Sequence, residues 1–166
     1  MNRRCWTGRL AAWCVAAALS ACAVAPPAAD LAPGDVLRTG RLALSVQDRP
    51  DQSFSAGFEL RGQPAQGELL LLSPIGGTVA ALHWRPGSAI LETPGRAPQQ
   101  FPSLDAMVER ATGAAMPIAA LFDWLAGTPT PVAGWEPDLD GLGDGRIRAR
   151  RTQPPPEADL RVVLDR

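Results

Sequence analysis

The chain has 166 residues, 46% of them hydrophobic, with 16 basic against 17 acidic side chains and 16 glycines beside 17 prolines. That length and apolar content suffice for one globular domain with a real core, and glycine and proline fall short of a low-complexity composition. The near-neutral balance excludes the strongly basic surface that nucleic acid requires.

Arg3, Arg4 and Arg9 precede an apolar run, Leu10 to Ala18, that is too short to span a bilayer as a mature helix. Leu19-Ser20-Ala21-Cys22 follows and resembles a bacterial lipobox, in which small residues fit a signal peptidase and the thiol carries a diacylglycerol. Residues 1–21 are therefore expected to be a lipoprotein signal peptide, with Cys22 bearing S-diacylglycerol and an N-acyl chain and no other cofactor. The alternative is an ordinary secretory signal in which Cys22 is incidental. Cys5 and Cys14 lie in the part removed, so no internal disulfide is expected and packing must supply the stability. Removing the three arginines leaves 13 against 17 acids, so the acyl chains alone must hold the protein to its membrane. Ala23 in place of aspartate after the cysteine favours the outer membrane by analogy with the bacterial sorting rule. Residues 22–35, with Pro26, Pro27 and Pro33, read as an acylated N-terminus and extended linker, and residues 36–166 as the folded domain.

Gly40 to Gln47 alternates, with Leu42, Leu44 and Val46 on one face, and reads as a half-buried strand. After a turn over Asp48 to Asp51, Phe54, Ala56, Phe58 and Leu60 repeat the pattern. Gly62 to Gly67 is the next loop. Leu69 to Leu72 is an unbroken apolar run, expected to be a strand buried on both faces, and Thr78 to Trp84 is its partner. Between them Ser73-Pro74-Ile75-Gly76-Gly77 has the chemistry of a tight reversal, proline fixing φ and the glycines permitting positive φ. Its odd member is Ile75, which either folds back into the core or touches something apolar outside. Ala89 to Glu92 supplies a fifth strand of a meander.

The period then changes. Ser103 is placed to cap a helix with Leu104, Met107, Val108 and Ala111 at helical spacing, ending at Gly113. A second helix begins near Pro117 and runs from Ile118 to Ala126, with Asp123 its one charge. A helix apolar almost all round must be covered on both sides, by a sheet-plus-helix core or by a hydrophobic ligand in a cavity. Three strands follow: Trp135 to Leu139, Arg146 to Arg150 and Leu160 to Leu164. About eight strands with two short helices favour a mainly β fold, a curved, incompletely closed antiparallel barrel with the helices across its mouth.

The residues give an enzyme little support. His83, the one histidine, sits in a strand without a cysteine ligand in the mature domain, and no metal site is expected. Asp138, Asp140 and Asp144 lack calcium-loop spacing and read as a solvated turn. Asp105 and Glu109 fit the polar face of the first helix, and Gly141 to Gly145 does not have dinucleotide-loop spacing.

The lipobox, Gly40-Arg41-Leu42-Ala43-Leu44, Leu72 to Thr78, and Ala111-Thr112-Gly113, Met116-Pro117-Ile118, Leu121 and Trp124 to Pro129 together resemble the LolB family, outer-membrane lipoprotein receptors of the Lol sorting pathway. The likeness is weakest after Trp135. The resemblance implies a half-open antiparallel β-barrel with a helical lid. It implies a non-enzymatic monomer at the periplasmic face of the outer membrane that accepts triacylated lipoproteins from a LolA-like periplasmic carrier and inserts them among outer-membrane phospholipids. Leu42, Leu44, Phe54, Phe58, Leu121, Trp124 and Leu125 become candidates for the cavity lining. The family's protruding loop with an aliphatic tip matches Pro74, Ile75 and Gly76, which favours Ile75 outside, against lipid. The alternative is a lipid-anchored structural or accessory protein of outer-membrane assembly, its half-barrel filled by its own side chains.

Overall fold

The computed structural model describes residues 32–112 and 118–166. The expected signal peptide, Cys22 and most of the linker lie outside the described residues, as do Gly113, Met116 and Pro117. Leu31–Arg166 forms a compact unit of its own, and every residue of its hydrophobic core cluster belongs to that stretch. The unit thus contains all the apolar packing that holds it together.

Nine strands run in chain order: β1 (Val36–Val46), β2 (Phe54–Gln63), β3 (Gln66–Leu72), β4 (Thr78–Arg85), β5 (Ser88–Glu92), β6 (Gln99–Phe101), β7 (Trp135–Asp138), β8 (Arg146–Arg151) and β9 (Ala158–Leu164). Two helices, α1 (Leu104–Thr112) and α2 (Ile118–Leu125), stand between β6 and β7. All pairings are antiparallel, in the order β6-β5-β4-β3-β2-β1-β9-β8-β7. Strands β6 and β7 are the two ends of the sheet, so the barrel is not closed.

A flat sheet of nine strands would be roughly 38 Å wide. Yet one core cluster draws on Leu42 of β1, Leu69 of β3, Leu91 of β5 and Ile147 of β8, together with both helices. The sheet must therefore curl around the helices, and the expected half-open antiparallel barrel with its helical lid is the fold adopted. Alternation decides which side chains face in: in β1 Leu42, Leu44 and Val46 are buried, and in β2 Ala56, Phe58 and Leu60.

The register also defines two rims. At one rim lie the turn between β1 and β2, the Ser73–Gly77 loop, the turn between β5 and β6, and the connection from Arg151 to Ala158. At the other lie the start of β1, the Pro64–Ala65 turn and the Pro86–Gly87 turn.

Several local expectations change. Strand β1 begins at Val36, because Val36 to Thr39 pair with Gly62 to Glu59 of β2. The loop expected over Gly62 to Gly67 is a tight turn, with Gln63 and Gln66 already paired. The apolar run of β3 is not buried on both faces: Leu69 is fully buried, whereas Leu70 and Leu72, on the opposite face, are half-buried, since the helices cover only the inner face of the sheet; Leu71, on the inner face, is half-buried against the core. Strand β6 was not anticipated. Helix α1 does begin at its expected cap, with the Ser103 hydroxyl accepting the Ala106 N–H at 3.2 Å.

Gly40 sits where β1 meets β9, and a Cβ there would collide with the Val163 carbonyl oxygen. The opposing atoms are backbone and cannot swing aside. Gly40→Ala is expected to lower unfolding stability by about 2 kcal/mol, read as a lower urea midpoint; an unchanged midpoint would mean that β1 and β9 are not this closely joined.

Candidate functional site

The seven residues suggested for a cavity lining come together. Leu42, Leu44 and Phe58 are each 1% exposed on the inner face of β1 and β2, and Leu121, Trp124 and Leu125 are buried on α2. Phe54, half-buried, pairs with Leu44 and packs against the same cluster. They meet as a packed interior, with protein side chains against both sides of α2. On that helix Ile118, Ala120 and Phe122 are buried too, which leaves Ala119 exposed and Asp123 half-buried. Protein core is thus what covers this almost wholly apolar helix here.

Aromatic residues outside the suggested set complete that interior. Trp84 meets Phe122 edge-on with ring centroids 6.1 Å apart, and Trp124 lies 6.4 Å from Trp135. Each buried indole needs a partner for its N–H. Trp84 donates to the carbonyls of Gln63 and Pro64, and Trp124 to the Thr130 carbonyl at 2.9 Å. The Thr130 hydroxyl in turn donates to the Asp123 carboxylate at 2.6 Å, so the one charge of α2 ties its C-terminal end to the loop beyond. Aromatic content alone could have marked Trp84 and Trp135 for this interior. Their partners depend on the sheet register.

The Ser73–Gly77 loop is a defined structure. Ser73 N–H donates to the Gly77 carbonyl at 2.8 Å, Gly76 N–H to the Ser73 carbonyl at 2.9 Å, and Gly77 N–H to the Ser73 hydroxyl at 3.1 Å. Gly76 has φ of 85°, the left-handed conformation that glycine adopts without strain. Gly77 does not take positive φ, so one of the two glycines supplies that freedom. A register shift between Leu71 and Leu72 interrupts the ladder one pair before the loop, which Leu72 and Thr78 close.

Ile75 at the tip is 96% exposed, and Pro74, Gly76 and Gly77 are exposed beside it. Folding back into the core is therefore not what this side chain does. On the following strand Val79 is 43% exposed. A large aliphatic group held in water by a hydrogen-bonded loop forgoes roughly 2 kcal/mol of burial.

Residues considered for other chemistry are dispersed. His83 lies 3.8 Å from Glu68 on the outer face. Asp138 accepts the Asp140 N–H, and Asp144 pairs with Arg146 at 3.2 Å. Among the described residues no group of three or more His, Cys, Asp or Glu side chains is placed to hold a metal ion.

Comparison with known proteins supplies the remaining finding. The family model described as Outer membrane lipoprotein LolB matches residues 37–153. The outer-membrane lipoprotein LolB of Cupriavidus pinatubonensis is 36% identical over 138 residues, covering 79% of this chain and 65% of the relative. That of Ralstonia nicotianae is 36% identical over 132 residues, covering 75% and 63%. That of Bordetella petrii is 29% identical over 184 residues, covering 94% and 92%. The chain thus spans a little under two thirds of the length of the first two relatives.

Proposed function

The chain belongs to the LolB family of outer-membrane lipoproteins, and from that premise we propose that it receives acylated lipoproteins from a LolA-type periplasmic carrier and passes them into the outer membrane. No covalent step is needed. Acyl chains move from one apolar environment to another and are shielded from water on the way. The half-barrel and α2 supply the shield, and for acyl chains to enter, α2 must move away from the inner face lined by Leu42, Leu44, Phe54 and Phe58. Acyl groups on Cys22 hold the protein at the periplasmic face of the membrane, as a monomer beside its phospholipid target.

The observation that carries this reading is Ile75, 96% exposed at the tip of a hydrogen-bonded loop. Among the described residues nothing covers that side chain, whereas an apolar phase outside would. A second reading draws on the filled interior, in which Phe58, Leu42 and Trp124 are all less than 2% exposed. On that reading the protein is a lipid-anchored structural or accessory component of outer-membrane assembly.

One experiment separates them. Residues 31–166 are incubated with a purified carrier loaded with an acylated lipoprotein, and the cargo is followed by co-purification. Transfer of most of the cargo to the domain is the expected result. Cargo that stays on the carrier, with the domain folded, would leave the structural reading in its place.

A further inference from the structure

Strand β8 carries five arginine, isoleucine and alanine side chains that follow strict alternation, and a sixth residue that keeps the phase with an unexpected chemistry. Arg146, Arg148 and Arg150 are exposed, whereas Ile147, Ala149 and Arg151 are buried on the inner face. Arg151 is 4% exposed, the one polar or charged side chain among the buried core residues described. Its Nη2 donates to the Pro156 carbonyl at 2.9 Å, and its guanidinium lies 5.8 Å from the centre of the Trp135 ring. Its Nε is buried without a hydrogen-bond partner, and among the described residues no carboxylate lies within 4 Å of it. Burial holds its pKa below the usual arginine value, yet a guanidinium remains charged at neutral pH. A buried cation served only by one carbonyl and a ring face is costly, and its free N–H is a donor that lacks an acceptor.

Its position says what could fill it. Arg151 ends β8 at the rim that also carries the Ile75 loop, one strand in from the open edge formed by β7. Trp135 beneath it touches Trp124 of α2. An acyl chain lying along the inner face with its polar end at this rim would bring ester oxygens there, where, among the described residues, the buried side chains other than Arg151 are apolar. Resting on the carrier function proposed above, we infer that Arg151 is a binding residue for the acyl-ester carbonyls of the bound lipid, fixing the depth at which the chains sit. Neutral ester oxygens can accept from Nε while the guanidinium keeps its contacts with Pro156 and Trp135.

The test compares two lipopeptides that differ only at the linkage: a dipalmitoyl-glyceryl cysteinyl peptide, and its dialkyl ether analogue, which lacks the carbonyls. Binding to residues 31–166 is read by tryptophan fluorescence. The wild-type domain should bind the ester about tenfold more tightly than the ether. Arg151→Met should bring the ester down to the ether's affinity, and Arg151→Lys should keep part of the preference. Dipalmitoyl phosphatidylethanolamine added as competitor tells the two sources of this chemistry apart: if it displaces the peptide the site accepts membrane-lipid esters as well, and if not it is confined to the lipoprotein, the carbonyl site standing either way. Equal binding of ester and ether by the wild type would overturn the inference and leave Arg151 as a clasp for the Pro156 loop. That comparison needs no variant, so a misfolded Arg151→Met would not protect the idea. Failure of both lipopeptides to bind at all would instead remove the carrier function itself.

Discussion

Ile75→Glu is expected to leave the domain folded and to stop delivery to membranes. A side chain 96% exposed, on a loop held by its own backbone hydrogen bonds, contributes almost nothing to folding, so the thermal midpoint should stay within the range of a surface substitution, about 0.5 kcal/mol. At a bilayer the balance is different. Isoleucine gains roughly 2 kcal/mol from leaving water, while an acidic side chain resists entering hydrocarbon by a comparable or larger amount. Even partial insertion then separates the two by at least about thirtyfold in the rate of cargo transfer to vesicles. Uptake of cargo from the carrier should be unaffected, because the Ile75 side chain is exposed at the loop tip and makes no part of the packed interior. A variant that delivers cargo as well as the wild type would mean that the loop tip does not meet lipid.

Trp124→Ala is the substitution expected to cost the fold most. Its indole is 0% exposed, donates to the Thr130 carbonyl and packs near Trp135. Deleting a buried tryptophan removes burial and leaves a cavity, at a cost of about 4 kcal/mol, a large part of the stability of an ordinary domain. Denaturant unfolding should register that loss with an unchanged slope. A loss below about 1 kcal/mol would be informative in another way. It would mean that α2 is already undocked for much of the time in solution, with the indole in water in both variants.

The residues that made the architecture legible were those whose spacing has a physical period. Leu42, Leu44 and Val46, like Phe54 to Leu60, alternate because one face of each strand is covered, and the structure places them on that face. Ser103 announced α1 because a hydroxyl at that position can accept a free helical N–H, as it does. Strand β6 gave no such signal: Gln99, Gln100 and Phe101 are three residues at the edge, too few to show alternation. The run Leu69 to Leu72 misled because four leucines fit any covered surface, and only the single-layer construction of the sheet leaves its outer members half-buried. The choice for Ile75 could not be made from the turn chemistry, since proline and glycine fix the bend and are silent about the tip. Arg151 was hidden among the arginines of its strand. The phase set by Ile147 and Ala149 points it inward, but its unfilled Nε depends on where Pro156 and Trp135 lie, which belongs to the register of three strands.

The two rims have a mechanical consequence. Strand β1 starts at the rim opposite the Ile75 loop, so the chain leading back toward Cys22 leaves the barrel at the far end from the tip. The 11 residues of β1 measure roughly 36 Å along the strand, and the 13 peptide steps from Cys22 to Asp35 can reach roughly 45 Å when fully drawn out. If the protein is moored by acyl groups on Cys22 and touches the same leaflet with Ile75, as proposed above, the leash must span most of that strand length. Slack is small. On the acylation proposed for Cys22, the length of that leash would set how far from its mooring point the loop could touch and cargo be laid down.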